Sequence, residues 1–132
     1  MSPRDAARRW AETWQRAWGA LDVESIVGLY HPDAVFSSQP FRAIDRGRAG
    51  VRAYVSRAFG EERDVRARFG TPIVGGDRAA VEWWAALVDE GRDVTLAGTS
   101  VLRFDADGLV LEQRDTWNAR DGRFEPPAGW GA

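Results

Sequence analysis

"VEWWAALVDEGRDVTLAGTSVLRFDADGLVLEQRDTWN", residues 81–118, decides the fold. Three stretches within it read as strands, whose successive side chains point to opposite faces. Asp89-Glu90-Gly91 and Asp105-Ala106-Asp107-Gly108 separate them, and both are short runs of turn-forming residues. Strands over 78–89, 93–105 and 109–118 are therefore predicted to pair as an antiparallel meander. A further strand, 64–74, precedes them across Gly75-Gly76-Asp77.

The faces of these strands carry the functional signal. In 109–118, Val110, Glu112, Arg114, Thr116 and Asn118 form a solvated row. Leu109, Leu111, Gln113, Asp115 and Trp117 form the inward row, so an amide and a carboxylate share a face with core residues. On the preceding strand, Gly98 and Ser100 interrupt the large apolar row of Val94, Leu96, Leu102 and Phe104. Small residues at that point are expected to leave space, making the centre of the face a hollow rather than filled core.

Residues 81–88 are apolar on both sides. Val81, Trp83, Ala85 and Leu87 make one row, and Trp84, Ala86 and Val88 follow Glu82 in the other. A strand of this kind must be covered on both faces. Helices cover one. A second subunit is the predicted cover for the other, giving a homodimer. The alternatives are a distorted register or the C-terminal tail lying over Trp84.

Upstream, the period changes to that of helices. Residues 3–19 place Trp10, Trp14 and Trp18 four apart, beside Ala7, Ala11 and Ala17, with Ser2-Pro3 as a start signal. "DVESIVGLY", residues 22–30, reads as a second helix capped by Asp22 and ended by His31-Pro32. "AVFSSQP", 34–40, is a short strand, and "FRAIDRGR", 41–48, a loop. "AGVRAYVSRAFG", 49–60, is a third helix stopped at Gly60. Helices followed by antiparallel strands give an α+β class, with three N-terminal helices on a curved sheet. One domain spans 1–132, with 119–132 as an extended Pro/Gly-rich tail.

Composition excludes several functions. All eighteen basic residues are arginine, there are twenty acidic residues, and net charge is −2 with no basic block. No nucleic-acid footprint is present. The absence of cysteine removes thiol chemistry and zinc-thiolate sites, and the single histidine, His31, cannot build a histidine-rich metal centre. No metal or other cofactor is expected. No apolar run resembles a signal peptide or membrane span, which points to the cytoplasm and to no membrane partner. Seven tryptophans in 132 residues indicate either a tightly packed core or an aromatic-lined cavity.

With these elements in order, the chain resembles the nuclear transport factor 2-like superfamily and, within it, the SnoaL-like proteins. "WGALDVESIVGLYHPDAVFSSQP", "GRAGVRAYV", "GTSVLRFDADGLV" and "EQRDTWN" carry the resemblance, over roughly residues 4 to 120. It implies a cone-shaped α+β barrel whose antiparallel or mixed sheet curls round the helices and leaves a pocket into which Asp115 points. The ketosteroid isomerases of this superfamily use a tyrosine, a neutral aspartic acid and an aspartate base. Those positions fall on Trp14, Ser100 and Ser38, and none keeps its chemistry. Limonene-epoxide hydrolases use two aspartates and an arginine. Arg114-Asp115-Thr116 resembles their last-strand motif, but "VEWWAAL" lacks the other aspartate and the arginine. SnoaL-type cyclases rely on one pocket aspartate, which this chain supplies.

Asp115 is accordingly the candidate catalytic residue, a desolvated carboxyl suited to proton transfer. Trp14, Trp18, Trp83 and Trp117 are candidate walls, and Tyr30, Ser38, Ser100 and Gln113 candidate polar contacts. The expected ligand is a small apolar or aromatic metabolite, transformed without a cofactor by cyclase, isomerase, hydratase or hydrolase chemistry. The alternatives are a non-catalytic binding protein and a dimeric scaffold of the same fold.

Overall fold

The computed structural model describes residues 1–132. Its elements are α1 (Pro3–Ala20), α2 (Val23–Val27), β1 (Tyr30–Ser37), β2 (Asp45–Arg46) and α3 (Gly47–Glu61), followed by five strands. These are β3 (Glu62–Phe69), β4 (Ile73–Gly75), β5 (Arg78–Asp89), β6 (Arg92–Phe104) and β7 (Val110–Asp121). The strands form one mixed sheet in the order β2-β1-β7-β6-β5-β3, with β4 beside β5. The sheet is open rather than a closed barrel. β5, β6 and β7 form the antiparallel meander, and β1 joins β7 in parallel.

α1 forms where the tryptophan spacing places it. Ser2 accepts from the Asp5 N–H at 3.1 Å, and Pro3 occupies the first turn. Trp10, Trp14 and Trp18 are buried along one stripe. They meet the sheet through aromatic edges: Trp10 lies 5.4 Å from Phe69 and Trp18 5.7 Å from Trp83, ring centre to ring centre. No helix is long and apolar enough to cross a membrane.

Several boundaries differ from the sequence reading. α2 ends at Val27, and Tyr30, His31 and Pro32 belong to β1 instead of closing a helix. The proline is tolerated because the β1–β7 register shifts between Tyr30 and Val35, and a bulge needs no ladder N–H there. Asp45–Arg46, expected in a loop, pairs with Val35 and Phe36. Gly47 opens α3 at φ +69, where a Cβ would stand 2.8 Å from the Pro32 carbonyl oxygen. Gly60 lies inside α3, which runs on to Glu61. The strand expected at 64–74 is two, interrupted around Pro72. β7 continues to Asp121, so the tail begins later than residue 119.

Two face assignments are also corrected. A register shift between Arg103 and Phe104 sets Phe104 opposite Val110 and leaves Leu111 as the extra residue. Val110 is therefore 1% exposed, and Leu111 is only half-buried, while Gln113, Asp115 and Trp117 beyond the bulge do face inward. Gly98 does not leave space open. A Cβ there would meet the Trp117 Cβ and the Thr116 carbonyl at 2.5 Å, so the glycine lets β7 pinch against β6.

The tail covers Trp84. Its Nε1 donates to the Phe124 carbonyl at 2.8 Å, and Trp130 meets the Trp84 ring edge-on at 6.1 Å. The Thr71 N–H donates to Gly131 O at 2.9 Å, and the Thr95 hydroxyl to Gly122 O at 2.7 Å. Of the covers considered for the outward face of β5, this one comes from the chain itself.

Candidate active site

Inside the concave face, α1, α3 and the meander enclose an inner cavity of about 60 Å³. Its walls are mainly aromatic, with Trp14, Trp18, Phe59, Phe69, Trp83 and Trp117 among them. Its polar members are Glu62, Ser100, Gln113 and Asp115, together with the Tyr54 phenol. Tyr54, Ala58, Glu62, Leu96 and Trp117 also line an outer vestibule of about 590 Å³. The site is thus a narrow chamber behind a wider, wetter mouth.

Two chains of hydrogen bonds converge on Asp115. Trp83 Nε1 donates to Ser100 Oγ at 3.0 Å, and Ser100 Oγ donates to Asp115 Oδ1 at 2.6 Å. On the other side, Trp14 Nε1 donates to the Tyr30 hydroxyl at 3.1 Å and Trp10 Nε1 to Gln113 Oε1 at 3.2 Å. The Tyr30 hydroxyl donates to Gln113 Oε1, and Gln113 Nε2 donates to Asp115 Oδ1 at 3.0 Å. Because an indole N–H can only donate, each chain has a fixed direction ending at the carboxyl. Oδ2 keeps only a 3.3 Å contact from Gln113 Nε2. A proton on Asp115 therefore belongs on Oδ2, leaving Oδ1 as the acceptor.

Burial pushes the Asp115 carboxyl up to about 7, against the pull of Ser100 and Gln113. Glu62 is also pushed up to about 7, first by burial and then by the charges of Asp89 and Glu61, with the Trp18 N–H opposing. Trp18 Nε1 donates to Glu62 Oε1 at 2.7 Å. Burial likewise raises the Tyr30 and Tyr54 phenols, with the Asp115 charge adding to both. Two carboxyls that change charge near neutrality thus line one small cavity.

The structure gathers Asp115, Trp14, Trp18, Trp83, Ser100, Gln113 and Trp117 around the inner cavity. Tyr30 is fully buried behind it and is joined to it through its hydrogen bond to Gln113. Ser38 lies at the vestibule, where its carbonyl accepts from Trp117 Nε1 at 2.6 Å. His31 lines neither space, and its Nδ1 accepts from the Asp33 N–H at 3.0 Å. Glu62 and Tyr54 were not singled out from the sequence. Glu62 stands in the charged run "GEERD", whose pattern suggests solvent, and only the reach of Trp18 from α1 shows it to be enclosed.

The SnoaL-like domain family matches residues 7–113. Cyclase aurE of Calcarisporium arbuscula is 24% identical over an alignment of 101 residues, with 73% of this chain and 74% of that one covered. SalBIII, described as an epoxide hydrolase/cyclase-like enzyme with a role in pyran ring formation in the polyether salinomycin, superposes with a TM-score of 0.76. The identity is 19%, over 89% of this chain and 98% of that chain. A protein of ketosteroid isomerase-like fold from Catenulispora acidiphila, in complex with trimethylamine, superposes with a TM-score of 0.70. The identity there is 16%, over 79% of this chain and 81% of that chain. These structures share the fold, and the family match spans most of the sequence: the chain belongs to the SnoaL-like domain family.

Proposed function

We propose that the chain carries out cofactor-free acid/base chemistry of cyclase or isomerase type on a small organic substrate, with Asp115 as the main proton-transfer group. One observation carries this reading. Asp115 lines an aromatic cavity with Oδ1 held by Ser100 and Gln113, Oδ2 nearly free, and a carboxyl that titrates near neutral pH. A carboxyl so poised can give or take a proton at pH 7 with little cost in either state.

Glu62 supplies the complementary group. Neutral Asp115 gives its Oδ2 proton to a carbonyl or epoxide oxygen of the substrate. The Glu62 carboxylate removes a proton from a C–H or O–H near the neck of the cavity. The product is an isomer or a closed ring, and solvent exchange through the vestibule restores both carboxyls. Trp14, Trp18, Trp83 and Trp117 exclude water and orient the apolar body, and Tyr30 fixes Gln113. The names of cyclase aurE and SalBIII support ring formation as the reaction class. The trimethylamine complex of the Catenulispora protein supports a fold that takes up small organic molecules.

The test is a panel of epoxides, hydroxy-enones and β-dicarbonyl compounds, scored for binding by tryptophan fluorescence and for turnover by NMR without added cofactor. Asp115→Asn is expected to lower kcat on a turned-over compound by about 10²-fold or more, with Kd changed only a few-fold. Full turnover by that variant would remove Asp115 from the chemistry and leave the cavity as a carrier site.

A further inference from the structure

We propose that the inner cavity selects ligands whose buried end carries positive charge, a protonated or quaternised alkylamine, over neutral molecules of the same shape. This rests on the reading that the cavity takes a ligand, and adds the ligand's charge.

The lining has acids and π faces but no cation. Glu62 and Asp115 face the chamber, and no arginine or histidine is among the residues around it. The five indole N–H groups of its walls are all engaged: Trp10 on Gln113, Trp14 on Tyr30, Trp18 on Glu62, Trp83 on Ser100 and Trp117 on the Ser38 carbonyl. The indoles therefore offer a ligand their ring surfaces, which attract cations through the ring quadrupole. The carboxyls offer Asp115 Oδ2 and Glu62 Oε2, for neither of which a protein donor lies closer than 3.3 Å.

The approach has the same sign. Asp45, Glu61, Glu62 and Asp89 line the vestibule against Arg42 and Arg57. Both guanidiniums lie over aromatic rings, Arg42 at 5.2 Å from Trp117 and Arg57 at 5.7 Å from Tyr54. Those two rings also reach the inner chamber, so the walls already hold cations on the vestibule side. Glu61, Asp89 and Glu90 bring carboxylate oxygens within 4.8 Å of one another, two of them at the vestibule. At about 10–15 Å³ per water, 60 Å³ admits a ligand of about five heavy atoms, or the head of a longer one extending into the vestibule.

Charge selection implies pH linkage. Asp115 faces the Tyr30 and Tyr54 phenols, and Glu62 faces Glu61, Asp89 and the two vestibule arginines. The two cavity carboxyls both change charge near 7. A cation favours their ionised forms, so it binds more tightly above pH 7 than below and releases protons on binding. A neutral ligand shows no such preference.

The experiment compares tetramethylammonium chloride with tert-butanol, a neutral molecule of equal heavy-atom count, at constant ionic strength. Indole ¹H–¹⁵N shifts of Trp18 and Trp83 report separately on Glu62 and, through Ser100, on Asp115. Tetramethylammonium is expected to bind at least tenfold more tightly than tert-butanol at pH 8, with the ratio shrinking at pH 5.5. Glu62→Gln combined with Asp115→Asn keeps both shapes and, on each side chain, the one oxygen that accepts from the protein, and is expected to abolish the ratio. Equal affinities at pH 8 would overturn charge selection while leaving an apolar ligand site standing. A ratio unchanged in the double variant would overturn the role of the two carboxyls. Binding of neither probe would overturn this inference, while turnover in the compound panel would still support the catalytic reading.

Discussion

At the scale of single residues, Asp115 links stability to pH in a direction opposite to most surface acids. Its carboxyl ionises near 3.8 when exposed and near 7 in the fold. Between those values the folded chain holds a proton that the unfolded chain has lost. Its contribution to stability is fully present below about pH 4, declines as pH rises towards 7, and is flat above that. Glu62 acts over an overlapping window, from 4.5 to about 7, so the wild-type slope is shared. Asp115→Asn separates them: relative to wild type it is expected to gain up to a few kcal/mol at pH 8 compared with pH 4, measured by urea unfolding at both. Ser100→Ala acts on the same carboxyl from its donor side. Losing the Oγ donor moves the Asp115 titration above 7, seen by ¹³C NMR of the side chain. It also strands Trp83 Nε1 in the core, at a cost of about 1–3 kcal/mol. Strand alternation alone pointed to Asp115 and Gln113, because period two survives wherever a strand is regular.

At the scale of elements, legibility follows regularity. β5 matched its expected bounds, since both ends are marked by turn residues and every position pairs with β6. The bulged strands did not. One inserted residue at Leu111 reverses the inward row, so Val110 is core although its alternation with Asp115 placed it outside. A bulge leaves no composition signal of its own, and the pairing partner that accommodates it lies elsewhere in the chain. Pro32 is the same lesson in β1: its local signal is a helix stop, and the shifted register with β7 makes it strand. Gly98 stands out in the sequence by its size, which suggests a hollow where the structure has none. Its place is the tight β6–β7 crossing, where the Trp117 backbone and Cβ occupy the space a side chain needs. Gly98→Ala is therefore expected to cost about 1–3 kcal/mol in chemical denaturation. It should also broaden or shift the Trp117 indole resonance, because Trp117 must move from the cavity wall to make room.

At the scale of the whole molecule, the tail decides what the outer sheet face can meet. β5 is apolar on both sides, so its outward residues need cover, and Trp84, Ala86 and Val88 all remain half-buried. Trp84 is held through its N–H by Phe124 and through its ring by Trp130, while Arg123 donates to the Asp64 and Ala86 carbonyls at 2.8 and 3.2 Å. Arg68 completes the contact from β3, 5.3 Å from the centre of Trp130. A homodimer that used this end of the face would have to displace these contacts, so a second subunit would compete with the tail for one surface. Removing residues 122–132 is expected to free that surface. Exposure of Trp84 costs about 2–3 kcal/mol in a chain that stays monomeric, and burying it against a second copy recovers part of that cost. Light scattering across a concentration series should show the shortened chain associating more strongly than the intact one, with a melting temperature that rises with concentration. A shortened chain with unchanged mass and unchanged Tm would mean that the tail is not the cover for this face. The cavity lies on the opposite side of the sheet, so ligand-induced quenching of Trp18 and Trp83 is expected to persist in the shortened chain.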